Sequence, residues 1–117
     1  MGGSVAGRYD EAVKHVGHRI GIVDEGPWVR LACADCGVTL AGVNGDEDEF
    51  LYRKWLSHMD PRAEGLDPAR YATMDPDSEG FPEHWVVCVA YGHPGEPANV
   101  AVECEHCNEV LEDWDRA

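Results

Sequence analysis

Four of the five cysteines fall into two Cys-x-x-Cys pairs, Cys33/Cys36 and Cys104/Cys107. A turn of this spacing aims two sulfurs at one point, and two such turns supply four ligands for a tetrahedral zinc ion at about 2.3 Å. The odd count argues against a complete disulfide framework, and paired motifs in an intracellular chain point to metal or redox chemistry. Redox use of a Cys-x-x-Cys pair needs a lowered thiol pKa, as at a helix N-terminus beside positive charge. Here Asp35, Glu103 and Glu105 surround pairs that follow strand-like runs, so zinc is the expected cofactor.

The flanking sequence repeats. Residues 29–40 read V-R-L-A-C-A-D-C-G-V-T-L and residues 100–111 read V-A-V-E-C-E-H-C-N-E-V-L. Upstream, His18-Arg19-Ile20-Gly21-Ile22-Val23 corresponds to His84-Trp85-Val86-Val87-Cys88-Val89. The expected metal residues are therefore Cys33, Cys36, Cys104, Cys107, His18 and His84. Two arrangements are open. In one, the units pack about a pseudo-two-fold and the four cysteines close a single site, with His18 and His84 hydrogen-bonding to sulfur. In the other, His15, His18, Cys33 and Cys36 form one set, while His84, Cys104 and Cys107 need a fourth ligand from His58, His93 or Glu83. The incomplete second set favours the shared four-thiolate site. His15, His58, His93 and His106 are expected as surface or capping histidines, and Cys88 as a small core hydrophobe facing Val100.

These residues require a scaffold of small α+β class, mainly antiparallel β: two three-stranded meanders, each with a zinc knuckle, joined by a helix and a proline-rich acidic loop. Turn composition at Asp24-Glu25-Gly26-Pro27 sets the first hairpin with Val23 opposite Trp28, Ile22 opposite Val29, Ile20 opposite Leu31 and His18 opposite Cys33. The same register in the second places His84 opposite Cys104, Val86 opposite Val102 and Cys88 opposite Val100, with residues 91–97 as a longer loop. Gly37 and Asn108 follow the knuckles, where positive φ is expected. A helix is predicted over 46–58, capped by Asn44 or Asp46, with Leu51, Trp55 and Met59 as its apolar stripe. Pro61, Pro68, Pro76 and Pro82 make 60–83 a covering loop, with one helical turn near 69–72. Another short helix is expected from Asp10. Trp28, Trp85 and Trp114 are expected to pack in the core or at an interface, with Trp114 in the acidic tail the most exposed of the three, and 109–115 is expected to be a solvated charge run. One domain spans 1–117, with unit one at 15–42, the insertion at 44–83 and unit two at 84–112.

The net charge of −14 is uneven. Residues 1–45 carry five acids and four bases, residues 46–83 eleven and four, and residues 84–117 seven and one. Phosphate binding rests on Lys and Arg neutralising backbone charge, so direct nucleic-acid binding is not expected. The acidic two-thirds suit a protein partner with a basic surface. No apolar run approaches the roughly 18 residues of a membrane span and no signal-peptide pattern opens the chain, so a cytoplasmic location is expected. Ser4, Ser57 and Ser78 lack a triad context and no glycine-rich phosphate loop is present; the chain is not expected to be an enzyme. A nucleic-acid-associated ribbon using Trp28, Arg19 and Arg30 is the alternative, followed by an enzyme with a three-ligand zinc at His84, Cys104 and Cys107, or a dithiol centre.

The ending N-V-A-V-E-C-E-H-C-N-E-V-L over 99–111, with His84 and Tyr91-Gly92 before it, resembles small zinc-knuckle proteins of actinobacterial phages and their hosts. That resemblance implies a knuckle unit with a His-led first strand and carries no assigned activity. The general pattern is similar to the zinc-ribbon or rubredoxin-like class, whose knuckle cysteines match Cys33, Cys36, Cys104 and Cys107.

Overall fold

A computed structural model describes residues 4–6, 9–93 and 96–116, with side chains described except those of 4–6, His93 and Glu96. The alternating apolar runs form two antiparallel sheets. Strands β2 (Ile20–Glu25), β3 (Trp28–Cys33) and β4 (Thr39–Asn44) make the first meander, and β1 (Ser4–Ala6) extends it along β4, giving the order β1-β4-β3-β2. Strands β5 (Val86–His93), β6 (Glu96–Cys104) and β7 (Val110–Asp115) make the second, in the order β5-β6-β7. The fold is thus small α+β, with one meander per Cys-x-x-Cys pair.

The repeat extends to backbone detail. Ile20 lies opposite Cys33, and Val86 opposite Cys104. Register breaks at Leu31/Ala32 and again at Val102/Glu103, the equivalent step. In the knuckles, Gly37 N donates to Cys33 O and Asn108 N to Cys104 O, both at 2.8 Å. Gly37 and Asn108 have φ of 73° and 58°, the left-handed conformation that glycine and asparagine tolerate best.

Both hairpins are displaced by two residues from the predicted register. Asp24 and Glu25 continue β2, leaving only Gly26-Pro27 as the turn, where composition suggested all four residues. Because side chains alternate with period two, this shift keeps the same faces buried and leaves the apolar match intact. It does move His18 and His84 off the ladder and over the knuckles. The predicted loop at 91–97 is instead mostly strand: β5 reaches His93 and β6 starts at Glu96, while Pro94 and Gly95 lie outside the described residues. The extra residues lengthen the hairpin, with a bulge at Tyr91/Gly92. Gly92 has φ of 114°, and a Cβ there would stand 2.8 Å from Ala98 N.

Helix α1 (Tyr9–Ala12) runs into a 3-10 turn at Val13–His15, and the Tyr9 hydroxyl donates to Pro97 O. Helix α2 (Glu49–Leu56) starts later than predicted because Asp48, not Asn44 or Asp46, supplies the cap, its Oδ1 accepting from Leu51 N at 3.0 Å. Asn44 caps the preceding turn, accepting from Asp46 N at 2.8 Å. Within the expected stripe Trp55 is fully buried, with Leu51 and Met59 packed against the core. Its indole Nε1 donates to Leu111 O at 2.8 Å, tying α2 to β7. Helix α3 (Pro68–Thr73) begins behind Asp67, whose Oδ1 accepts from Ala69 N at 2.9 Å.

The 109–115 segment is not a solvated run. It is strand β7, in which Leu111 and Trp114 are buried, Trp114 only 7% exposed, while Val110, Asp113 and Asp115 are exposed and Glu112 is half-buried. Trp85 is buried and Trp28 remains 37% exposed. Cys88 is fully buried opposite Val102 rather than Val100.

One apolar cluster takes side chains from both meanders, including Ile20, Leu31 and Val29 with Val86, Val100 and Val102. The units also meet through backbone: Gly17 N donates to Cys88 O at 2.8 Å, Cys88 N to His18 O at 3.1 Å, and Arg19 bridges to Val87. The segment carrying His18 is thereby fixed against β5.

Candidate metal centres

The described residues contain two groups of ligand atoms, each lying within 4.8 Å of one another: His15, His18, Cys33 and Cys36, and His58, His84, Cys104 and Cys107. Each group can hold a metal ion. The four cysteines are therefore divided two and two, and the expected four-thiolate site is not formed. The reason is the packing: the units meet along the 17–19 segment and β5, and each knuckle turns toward its own histidines.

Three ligands per centre come from the repeat. His18 Nδ1 lies 3.3 Å from Cys33 Sγ and 3.8 Å from Cys36 Sγ. His84 Nδ1 lies 3.7 Å from Cys104 Sγ and 3.3 Å from Cys107 Sγ. A tetrahedral ion with bonds of about 2.0–2.3 Å requires donors about 3.3–3.8 Å apart. The measured separations match that requirement.

The fourth candidate donor of each group, His15 or His58, has no histidine counterpart at the matching position of the other unit. His15 sits at the end of the 3-10 turn and His58 one residue beyond the C-cap of α2. Both are buried, at 4% and 5% exposure, contrary to the surface or capping role expected of them. His15 meets His18 edge-on with ring centroids 5.6 Å apart, and His58 meets His84 likewise at 5.0 Å. Unrelated positions thus reach equivalent geometry.

The partners of these histidines fit ligation. His58 Nδ1 is 2.8 Å from Lys54 O, so it donates there and leaves its lone pair on Nε2. His15 Nε2 lies 3.4 Å from Glu11 Oε1, while its Nδ1 is buried with no hydrogen-bond partner. A buried nitrogen left bare is costly unless something ligates it. Two spatial signals were available in the sequence: the His15-x-x-His18 spacing, and a histidine at the end of an acid-capped helix. His106, inside the second knuckle, is exposed and instead bonds the Tyr71 hydroxyl at 2.7 Å and Glu83 O at 2.8 Å. Glu83 is not in the second group, and the side chain of His93 lies outside the described residues.

The thiols themselves call for a cation. A hydrogen bond to Cys33, then burial and the negative charge of Cys33, Asp35 and Glu11, hold the Cys36 thiol above its ordinary value. Burial, the hydrogen bond to Cys104 and the charges of Cys104 and Glu109 do the same for Cys107. Two adjacent sulfurs in acidic surroundings do not both ionise unless a dication offsets their repulsion.

The second centre also closes a loop. His58 and His84 bound the 59–83 segment, which holds seven acidic and two basic residues. Asp60 braces the same neck, accepting from Arg62 N at 2.9 Å, Glu83 N at 2.6 Å and His84 N at 3.1 Å. Burial opposes its charge, but these three N–H donors outweigh it and hold the carboxyl below its ordinary value.

No helix among the described residues is long and apolar enough to cross a membrane. No family model, curated protein or solved structure matches the chain.

Proposed function

We propose that this is a non-enzymatic protein stabilised by two structural zinc ions, which displays an acidic surface to a basic surface on a partner protein. The observation that carries the reading is the completeness of both His2Cys2 sets. Mixed imidazole and thiolate donors in tetrahedral spacing suit zinc over harder cations, and four protein ligands leave no open position for a substrate or an activated water. The raised thiols of Cys36 and Cys107 run against dithiol chemistry, which needs them lowered.

The acidic side of the proposal rests on where the charge lies. The 59–83 loop, clasped at its neck by the second centre, carries a net −5, and Asp113 and Asp115 of β7 are exposed. Carboxylates so displayed stand in for nucleic-acid phosphates, which makes a nucleic-acid-binding protein the partner class; the resemblance to phage proteins points to a host target. The test is binding of the immobilised, zinc-loaded protein to matched sets of cationic and acidic proteins. Cationic partners bind, with affinity falling steeply as salt rises. Binding indifferent to salt, or equal for acidic partners, contradicts the proposal.

A further inference from the structure

Phe50 is 80% exposed on the outer face of α2, the most exposed large apolar side chain among the described residues. It walls a cleft of about 420 Å³ with Arg53, Lys54 and Glu109. Val110, also exposed, follows Glu109 at the start of β7. Arg53 is paired with Glu49 at 2.7 Å and Glu109 Oε2 lies 3.6 Å from His58 Nε2, whereas Lys54 makes no ion pair among the described residues. Phe50 is thus the one apolar side chain lining a cleft whose other three lining residues carry both signs of charge, on a chain whose net charge is −14.

We infer that this cleft is a self-association site, in which a second copy of the chain inserts its Phe50 and pairs its Glu109 with Lys54. A two-fold contact brings the same patch together twice, so every contact made in one direction is made in the other. Phe50 is both the knob and one wall of the hole, and Lys54 and Glu109 are a donor and acceptor on the same rim. Such a patch is self-complementary. Electrostatics favours the same occupant: two copies of this chain repel across their acidic surfaces, and the Phe50 patch is a region where locally balanced charge lets them approach. A basic partner, by contrast, meets two cations here. The cleft is small, so the dimer is weak and reversible. This inference does not depend on the proposed basic partner.

The test is sedimentation velocity of the zinc-loaded full chain over a range of concentrations at low and high salt. Concentration-dependent dimerisation is expected, and it strengthens as salt screens the net repulsion, the reverse of the trend for a basic partner. Phe50→Asp abolishes dimerisation with the fold intact, since the side chain is exposed. Lys54→Glu and Glu109→Lys each weaken it and the double exchange restores it, while metal content stays at the wild-type value as a check on nearby His58. A wild-type chain that is monomeric throughout, a Phe50→Asp variant that dimerises equally, or a double exchange without rescue overturns the inference. A monomer whose Phe50→Asp variant loses binding to another protein assigns the cleft to that protein and overturns it too.

Discussion

The guanidinium of Arg19 lies 5.3 Å from the ring centroid of Trp85, and the two residues hold the same place in the two repeats. Each follows the first repeat histidine, and each accepts a hydrogen bond through its carbonyl from the residue after the first knuckle cysteine, Ala34 N at 2.9 Å and Glu105 N at 2.8 Å. The pseudo-symmetric units are thus joined where their sequences differ. Arg19 also pairs with Glu64 at 3.0 Å, and Tyr71 stacks on Trp85 with centroids 3.9 Å apart, so the insertion is fastened to the same junction. Replacing Trp85 with Ala removes a buried ring from between the units and is expected to cost about 3–5 kcal/mol. Denaturant unfolding of the metal-loaded protein measures this. A loss below about 1 kcal/mol would show that the junction holds without the stack.

The centres differ in what they restrain, and single-histidine variants separate them. His58→Ala is expected to reduce binding to one ion per chain and to expose the 59–83 loop to limited proteolysis. His15→Ala also leaves one ion, with the loop still protected, because that centre ties the 3-10 turn to the first hairpin. Equal loop cleavage in both variants would remove the clasp role from the second centre.

Thiol reactivity gives an independent reading of the ligands. In the metal-loaded protein none of the five cysteines is expected to react readily: four are ligands, and burial, with a smaller effect from Cys33, pushes the Cys88 thiol up to about 11. After chelation Cys33, Cys36, Cys104 and Cys107 become reactive, and Cys88 reacts only as the core opens. Rapid labelling of two cysteines in the loaded protein would instead indicate a free dithiol pair.

Asp60 gives a pH signature. Its carboxyl is depressed in the folded state, so its contribution is complete above the unfolded value and is lost as pH falls through the folded value. Asp60→Asn is expected to cost about 1–3 kcal/mol near neutral pH, because it removes the charged acceptor of three half-buried N–H groups. The gap between wild type and variant closes in acid. A gap independent of pH would show that the side chain acts by shape alone.

Much of this arrangement is legible along the chain because it rests on short-range pattern. The knuckles, the three-strand repeat and the positive-φ residues at 37 and 108 follow from spacing and residue type. The register differs by two residues because composition overstates a turn when polar residues such as Asp24 and Glu25 continue the strand beyond its buried part. Composition ranks Trp114 as the most exposed of Trp28, Trp85 and Trp114 because its acidic neighbours mask a strand with a buried side; Trp28, at 37%, is the more exposed. The division into two centres was the least legible feature. His58 and His84 are brought together by the closure of a 25-residue insertion, so the helix-end position of His58 marks it as one candidate fourth ligand but does not by itself select it over His93 or Glu83.

Native mass spectrometry of the purified chain, combined with elemental analysis, bears most directly on the central claim. Two zinc ions per chain are expected, lost together with folded structure on chelation or acidification. A single ion held by all four knuckle cysteines, or a chain that stays folded and metal-free after chelator treatment, would contradict the two-centre account.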